Sequence, residues 1–473
     1  MVRMRSKKQK PSRVVQCLDQ FQPGTVAAQE AVELLQKMVR VDTSNPPGNE
    51  IALATFLQSY VESEGHPNLS TTIIESEPTR ANLIITIAGS NPQNHPSWGF
   101  MSHLDVVPAE GTWQNPPFSG EIIQEEHDQF IWGRGTVDIK GLGAANITAL
   151  LTLLREGFQP QGNIKILLCA DEECGGFKGL GFLVDNYLED VQVDCCLNEG
   201  GGFKLPLKND FMIQIGEKGI MWTKLRARGQ GGHGSMPPPP HTIALFKMVQ
   251  VLERLKNYRP PLILGQEYQN LRRQISLPGV AKWLMGRKTI LRSLLGAASK
   301  IAKQNLGQVV LPLVQDSISF TNFHSGVKEN SISPVAEAIL DIRALPGHDR
   351  PYINQMLEKA IGSKLFRQLE LEGIDNTVAT TSSFDTPEFQ RIEAVTREMW
   401  PEANLVPLLS QGSTDCKYFR KNGILAYGFS PTLKDPDLSY KELLSMAHGE
   451  NERISVSNLR YAMDFAYRMM RLV

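Results

Sequence analysis

The stretch "SHLDVVP" sets His103 and Asp105 two positions apart where an apolar run ends. In extended backbone such residues point to one side, so the two side chains can touch. A carboxylate beside a histidine fixes its tautomer and leaves the other ring nitrogen free for a metal. The same pair is also ordinary satisfied core structure. Downstream, "WGRGTVDIKG" carries Asp138 between a glycine-rich turn and a helix that begins near Ile139, where an N-cap role alone would account for the aspartate. "ILLCADEECGG" ends an apolar run with Asp171, Glu172 and Glu173, and like charges so close are costly unless a cation or solvent neutralises them. "VDCCLNEGGG" finishes another apolar run with Glu199, and "SMAHGENERI" offers His448 in a glycine-containing loop.

Two histidines and several carboxylates form a nitrogen and oxygen donor set suited to Zn²⁺, with Mn²⁺ or Co²⁺ as substitutes. A bridging carboxylate among them would allow two ions and a water acidified toward neutrality. Convergence of these distant residues requires a fold that gathers them. The first four sites each follow a run that reads as a strand, and ligands of open α/β sheets gather at the carboxyl ends of strands.

The positioning elements are legible. Ala27, Ala31, Leu34, Leu35 and Met38 recur at helical spacing until "TSNPPGN" stops them. Short apolar runs ("NLIITIAG", "WGFMSH", "NIKILLCA", "DCCLNEG") then alternate with helical segments, which predicts an α/β sheet with helices on both faces. Near residue 216 the texture changes. "GIMWTKLRARG", "ISFTNFHSG" and "VAEAILDIRALPG" alternate like half-exposed strands and predict an antiparallel α+β domain. Segments resembling the first domain resume after about 345, so the second domain reads as an insertion: 1–215 and 345–473 form the first, 216–344 the second. Within it, an enlarged apolar segment spans 256–316, with an amphipathic helix expected over "WLMGRKTILRSLLGAASKIA".

At 473 residues two domains are the default expectation. With 41% hydrophobic and 21% charged residues, 49 basic against 50 acidic groups and a net charge of −1, nothing global points to nucleic acid. The basic residues Arg3 to Arg13 read as a solvated terminus, without the apolar stretch of a secretory signal. No run approaches the roughly 20 apolar residues of a membrane span. Cysteines 17, 169, 174, 195, 196 and 416 read as free thiols, and a cytoplasmic location is expected.

Together, "SHLDVVP", "WGRGTVDIKG", "DEECGG", "NEGGG", "GGHGSMP" and "HGENE" resemble the dizinc metallopeptidase family of acetylornithine deacetylase, succinyl-diaminopimelate desuccinylase, aminoacylase, carboxypeptidase G and carboxypeptidase S. The match runs from about residue 30 to the C-terminus. It implies a three-layer α/β/α zinc-peptidase-like catalytic domain with an inserted ferredoxin-like lid that also forms a homodimer. By the same resemblance His103, Asp138 and Glu199 hold one Zn²⁺, and Asp138, Glu173 and His448 the other. Asp105 is then the carboxylate behind His103, and Glu172 the general base. His233 of "GGHGS" reaches the partner's active site to stabilise an oxyanion. Asn330 and Arg343 hold the substrate's carbonyl oxygen and carboxylate, for which a planar guanidinium is well shaped.

The implied activity is hydrolysis of an N-acyl amino acid, or a related small amide or short peptide with a free carboxylate. An exopeptidase, either carboxypeptidase or dipeptidase, is the alternative. Where many relatives have Gly-Gly-Thr-Ser-Asp, this chain reads "QGSTDCKYF": Gly412 and Ser413 keep the small and hydroxyl character of a substrate-binding loop, while Gln411 and Cys416 depart from it. The 256–316 segment resembles the longer lids of the carboxypeptidase S and fatty-acyl amino acid hydrolase branch. It either lines the mouth of the site, favouring a large acyl group, or packs on the lid.

Overall fold

The apolar run Trp98–His103 lies between Ile164–Cys169 and Cys195–Asn198, and the three strands run parallel. All their residues are buried, as strands covered on both faces must be. These strands belong to a computed structural model that describes residues 25–205, 209–293, 310–311, 313–432, 442 and 445–473. The basic segment Arg3 to Arg13 and Cys17 lie outside the described residues.

Side chains alternate between two cores. Trp98, Phe100, Ile164, Ile166 and Leu168 face one, while Met101, Leu167 and Cys169 face the other. Helices Thr25–Val39, Lys140–Arg155 and Val456–Met470 supply the first core, and Leu180–Asn186 with Cys416–Lys421 the second. Each fully buried Leu, Ile or Phe contributes about 1.5–3 kcal/mol, which is what closes three layers around the sheet. Arg80–Ile87 and Leu69–Glu77 extend the sheet antiparallel on one side. Leu425–Gly428 extends it parallel on the other and then meets Asp210–Glu217 antiparallel. The helix expected near 26–39 is Thr25–Val39, with Ala31, Leu34, Leu35 and Met38 buried. In helix Lys140–Arg155 a Cβ on Gly143 would come within 2.9 Å of Ser102 Oγ. A larger residue there would force Ser102 Oγ or the helix beside His103 to shift.

This first unit comprises the chain up to Ile215, Ser382–Val406 and Thr414–Val473; a second comprises Gly216–Thr381 and Pro407–Ser413. The second unit begins at Gly216 and continues past 344. Helix Arg350–Ile361 buries Ile353 and Leu357 in the second core, and strand Leu369–Gly373 pairs with Thr223–Arg228, so both belong to the insertion. The sheet order is Ser317–His324, Val335–Ala344, Thr223–Arg228, Leu369–Gly373, all antiparallel. Helices Ala244–Asn257 and Arg350–Ile361 interrupt the strands in the ferredoxin-like βαββαβ sequence. Along Val335–Ala344 residues alternate strictly between buried and half-buried, the pattern expected of a one-sided sheet.

The apolar insertion forms helices Gln266–Gln274 and Gly279–Met285, which bury Tyr268, Leu271 and Met285. The single long amphipathic helix expected over 283–302 is instead broken at Gly286, whose lack of a side chain ends the helix. Positions 294, 295, 298 and 301 of that run lie outside the described residues. Among the described residues no helix is long and apolar enough to cross a membrane.

Candidate metal centre

Parallel strands in register end together, and three neighbouring ends bring the acids and a histidine to one place. His103 pairs with Cys169, so the turn that follows Cys169 lies beside it, and Glu199 follows the adjacent strand Cys195–Asn198. His103 Nδ1 is 2.8 Å from the main-chain oxygen of Asp105. A carbonyl can only accept, so Nδ1 carries the hydrogen and Nε2 presents its lone pair to the site. That nitrogen lies 3.1 Å from Asp138 Oδ1 and 3.8 Å from Glu199 Oε1. The other oxygen of Asp138, Oδ2, lies 3.1 Å from Nε2 of His448, which is itself 3.0 Å from Glu173 Oε2. Asp138 therefore stands between the two histidines with one oxygen toward each.

Asp138 does not cap the following helix. The cap position is Ile139 and no side chain bonds the first turn, so the N-cap reading falls away. Glu452 holds the loop instead: Oε2 accepts Arg134 Nη1 at 2.7 Å and the Gly135 N–H at 3.0 Å, while Oε1 accepts the N–H groups of Val137 and Asp138. Lys140 adds a buried amine, brought down to about 7 by burial, that donates to the carbonyls of Met38 and Val41.

Asp105 acts differently from the expected carboxylate partner of His103. Its Oδ1 is 3.7 Å from Nδ1, beyond a hydrogen bond. Instead Oδ1 accepts the N–H of Glu172 at 3.1 Å and Oδ2 that of Glu173 at 3.2 Å. The physical reason is that the strand ends at His103, and the chain turn beyond it leaves the Asp105 carbonyl, rather than the carboxylate, facing the ring. Asn45 Nδ2 donates to Asp105 Oδ2 at 2.8 Å and to Asp171 Oδ1 at 3.2 Å, and Arg80 bonds both Asp171 and Glu50. Asp171 has φ 68°, a left-handed conformation that starts the turn Glu172–Cys174 and splays the adjacent glutamates. Asn45, Arg80, Glu50 and Glu452 escaped the sequence reading. Asn45 sits in "TSNPPGN" and Glu452 in "HGENE", and a buried side chain serving backbone N–H groups leaves no spacing signature.

Four carboxylates share this space. Burial, then the neighbouring Asp138 and Glu173 charges, push Glu199 up to about 8 against the opposing pull of His103. Burial and Glu199 raise Glu172 well above the carboxylate range. For His103 burial opposes the charged form, but Asp138, Glu199, Glu172 and Asp105 outweigh it and raise its pKa. Hydrogen bonds to Asp138 and Glu173 raise His448 to about 10. A site that draws protons onto imidazoles so strongly is short of positive charge.

Divalent cations fit that deficit. The ligand atoms of His103, Asp138 and Glu173 lie within 4.8 Å of one another, as do those of His103, Glu172 and Glu199. Glu173 Oε1 is buried with no hydrogen-bond partner, as an oxygen reserved for a metal would be. The donors match the neutral-imidazole and carboxylate chemistry of Zn²⁺.

Residues 99–472 match the model of peptidase family M20/M25/M40. The chain belongs to that family. It is therefore a metal-dependent hydrolase of amide or peptide bonds, as the motifs implied. Among its M20 relatives is the human N-fatty-acyl-amino acid synthase/hydrolase PM20D1, 28% identical over 94% of this chain and 88% of the human protein. The probable carboxypeptidase S-like 2 of Dictyostelium discoideum is 28% identical over 78% of this chain and 70% of that protein. The M20 fold recurs in the metallo-carboxypeptidase Sso-CP2 of Sulfolobus solfataricus, with a TM-score of 0.68 and 19% identity over 94% of this chain and 99% of that one.

The remaining expected residues lie in the second unit. His233 is exposed, its Nδ1 2.7 Å from Ser235 Oγ. Asn330 is exposed and its main-chain oxygen accepts the Gly234 N–H. Arg343 forms a two-pronged ion pair with Asp341, two residues away on the same strand face, a partner the sequence reading overlooked. Gly412 and Ser413 fall in the segment 407–413.

Proposed function

We propose that the chain hydrolyses N-acyl amino acids, with a medium or long acyl group, to a fatty acid and a free amino acid. The observation that carries the reading is Asp138 with one oxygen toward each histidine while Glu172 stands beside His103 and Glu199. In this reading His103, Asp138 and Glu199 hold one ion, and Asp138, Glu173 and His448 the other. When bound, such a metal pair supplies Lewis acidity to the substrate carbonyl and lowers the pKa of water. Glu172 takes the proton of the attacking water and returns it to the departing amine. His233 of a partner subunit steadies the oxyanion, Asn330 the carbonyl oxygen, and Arg343 the substrate carboxylate after exchanging it for Asp341. Gly412 and Ser413 complete the carboxylate pocket.

Two things support the acyl preference. The PM20D1 relatives are named for fatty-acyl amino acids. Asp138 and Glu199 also wall a cavity of about 150 Å³ lined by Leu142, Phe203, Pro431 and Ile454, which offers an apolar group a place next to the ligands. The carboxypeptidase S-like relative favours an exopeptidase as the second reading. A product-resolved screen of acyl chain length against amino-acid identity, after loading with Zn²⁺, Mn²⁺ or Co²⁺, separates them. Turnover confined to unblocked dipeptides overturns the acyl reading.

A homodimer through the second unit is part of the proposal. Strand Ser317–His324 is the sheet's outer strand and is exposed at every residue but the half-buried Ile318, Phe320 and Phe323 included. Mass measurement in solution tests it. The five described cysteines form no disulfide, which supports a reducing, cytoplasmic setting.

A further inference from the structure

From Tyr268 to Gln315 the chain carries eight Lys and Arg and not one Asp or Glu, although the whole chain has a net charge of −1. The charge is therefore gathered in one segment of the second unit. Among the described residues none of its six cations, Arg272 to Arg292, pairs with a carboxylate. Arg272 and Lys282 are turned onto neighbouring carbonyls, Lys282 O and Arg273 O respectively, and so brace the two helices. Arg273, Arg287, Lys288 and Arg292 are exposed.

Among these cations stand large apolar side chains with no cover. Val280 is 73% and Trp283 55% exposed, three residues apart on one face of helix Gly279–Met285, while Met285 on the other face is buried. The Arg287 guanidinium lies 4.6 Å from the Trp283 ring centre. An indole with a cation over its ring, beside an exposed valine, suits neither bulk water nor a dry protein core. It suits the boundary between lipid headgroups and acyl chains, where Trp concentrates and Lys or Arg reach the phosphates.

We propose that this segment docks the enzyme on the surface of an anionic lipid bilayer, with Val280 and Trp283 entering the headgroup layer and Arg273, Arg287, Lys288 and Arg292 meeting lipid phosphates. The apolar face supplies burial, and the unpaired cations supply attraction to a negative surface. A nucleic acid would match the charge but gives Val280 no partner. Docking of this kind is peripheral, in keeping with the lack of a spanning helix among the described residues. The proposal goes beyond the reaction and does not depend on acyl-chain preference. It would place the enzyme where amphiphilic substrates partition.

The test is co-sedimentation of the full, Zn²⁺-loaded chain with vesicles of phosphatidylcholine alone and of equal parts phosphatidylcholine and phosphatidylglycerol. Binding is expected only to the anionic vesicles and weakens as salt is raised. Trp283→Ala, and separately Arg287→Glu with Lys288→Glu, each lower vesicle partitioning roughly tenfold or more. Hydrolysis of a soluble, short-chain N-acyl amino acid stays unchanged in these variants, which establishes that they fold. If a charge-reversed variant loses that activity, Arg287→Gln with Lys288→Gln replaces it. The proposal is overturned by equal sedimentation of parent and variants, by no binding to anionic vesicles, or by single-stranded DNA binding that Trp283→Ala leaves intact.

Discussion

The Asp105 carboxylate accepts the main-chain N–H of Glu172 at 3.1 Å, and its second oxygen does the same for Glu173. One buried acid thus fixes the turn on which two neighbouring glutamates take different directions. Asp105→Ala removes both acceptors and leaves two recessed N–H groups unserved, at about 1–3 kcal/mol each. We expect kcat to fall on the order of a hundredfold, with Glu172 misplaced and His103 still oriented by the main-chain carbonyl. Asp105→Asn keeps one acceptor and should lose less. Kinetics alongside metal stoichiometry by elemental analysis decide the matter: loss of bound metal with no change in turnover per metal would assign Asp105 to ligand support instead.

Glu172→Gln tests the proton shuttle. The amide keeps the size and the link to Asp105 through the backbone but cannot take a proton. Turnover should fall about 10²–10⁴-fold while two metals per chain are retained. Full turnover in the metal-replete variant would remove Glu172 from the reaction.

How much of this was written in the sequence depends on what each residue does. The meeting of His103, Asp138, Glu199 and Glu172 in space was legible because strand ends and glycine turns mark where side chains of an α/β sheet converge. A change of texture near 216 is visible in the sequence because the strands beyond it alternate while the first sheet's strands are apolar throughout. No such change marks the far end of the second unit, since helix Arg350–Ile361 has the same amphipathic pattern whichever sheet it covers. Asn45 and Glu452 act by holding backbone N–H groups of distant segments, and such service follows from tertiary geometry rather than periodicity. The Asp105 geometry was misjudged for a related reason: the spacing of two assumes extended backbone, which stops at His103.

Glu452 and Arg134 offer a stability prediction. Both are buried, and four donors converge on the Glu452 carboxylate in the loop that carries Asp138. Removing one member of such a pair strands the other, so Glu452→Ala should destabilise the chain by about 3–5 kcal/mol. Arg134→Met with Glu452→Gln should cost less than the sum of the single changes. Denaturant titration of the four proteins measures the coupling, and strict additivity would show that the pair does not act as a unit.

The metal-free protein should lose stability as pH rises. Glu199, pushed up to about 8, still holds its proton in the fold between pH 4.5 and 8, where an unfolded glutamate has released it. Glu172 shifts the same way. His448, raised to about 10, contributes stability that is complete below the unfolded histidine value of about 6.5 and is lost on the way up to 10, though its exposure screens part of the effect. In each of these cases the folded chain binds more protons than the unfolded one; Lys140 and Lys218, lowered by burial to about 7 and about 8, work the other way but are outnumbered by Glu199, Glu172, His103 and His448, so unfolding free energy falls with rising pH across this window. Asp138 has the opposite sign: its histidine bonds hold it below the usual carboxylate range, and the stability it contributes is lost only in strong acid. Metal ligation needs ionised carboxylates and neutral imidazoles, so binding expels these protons and tightens as pH increases. Melting of chelated protein should therefore occur at lower temperature at about pH 9 than at about pH 6, and added Zn²⁺ should raise the melting temperature more at the higher pH. A chelated protein that gains stability between those two pH values would mean that the crowded carboxylates do not carry the charge deficit from which the metal centre is inferred.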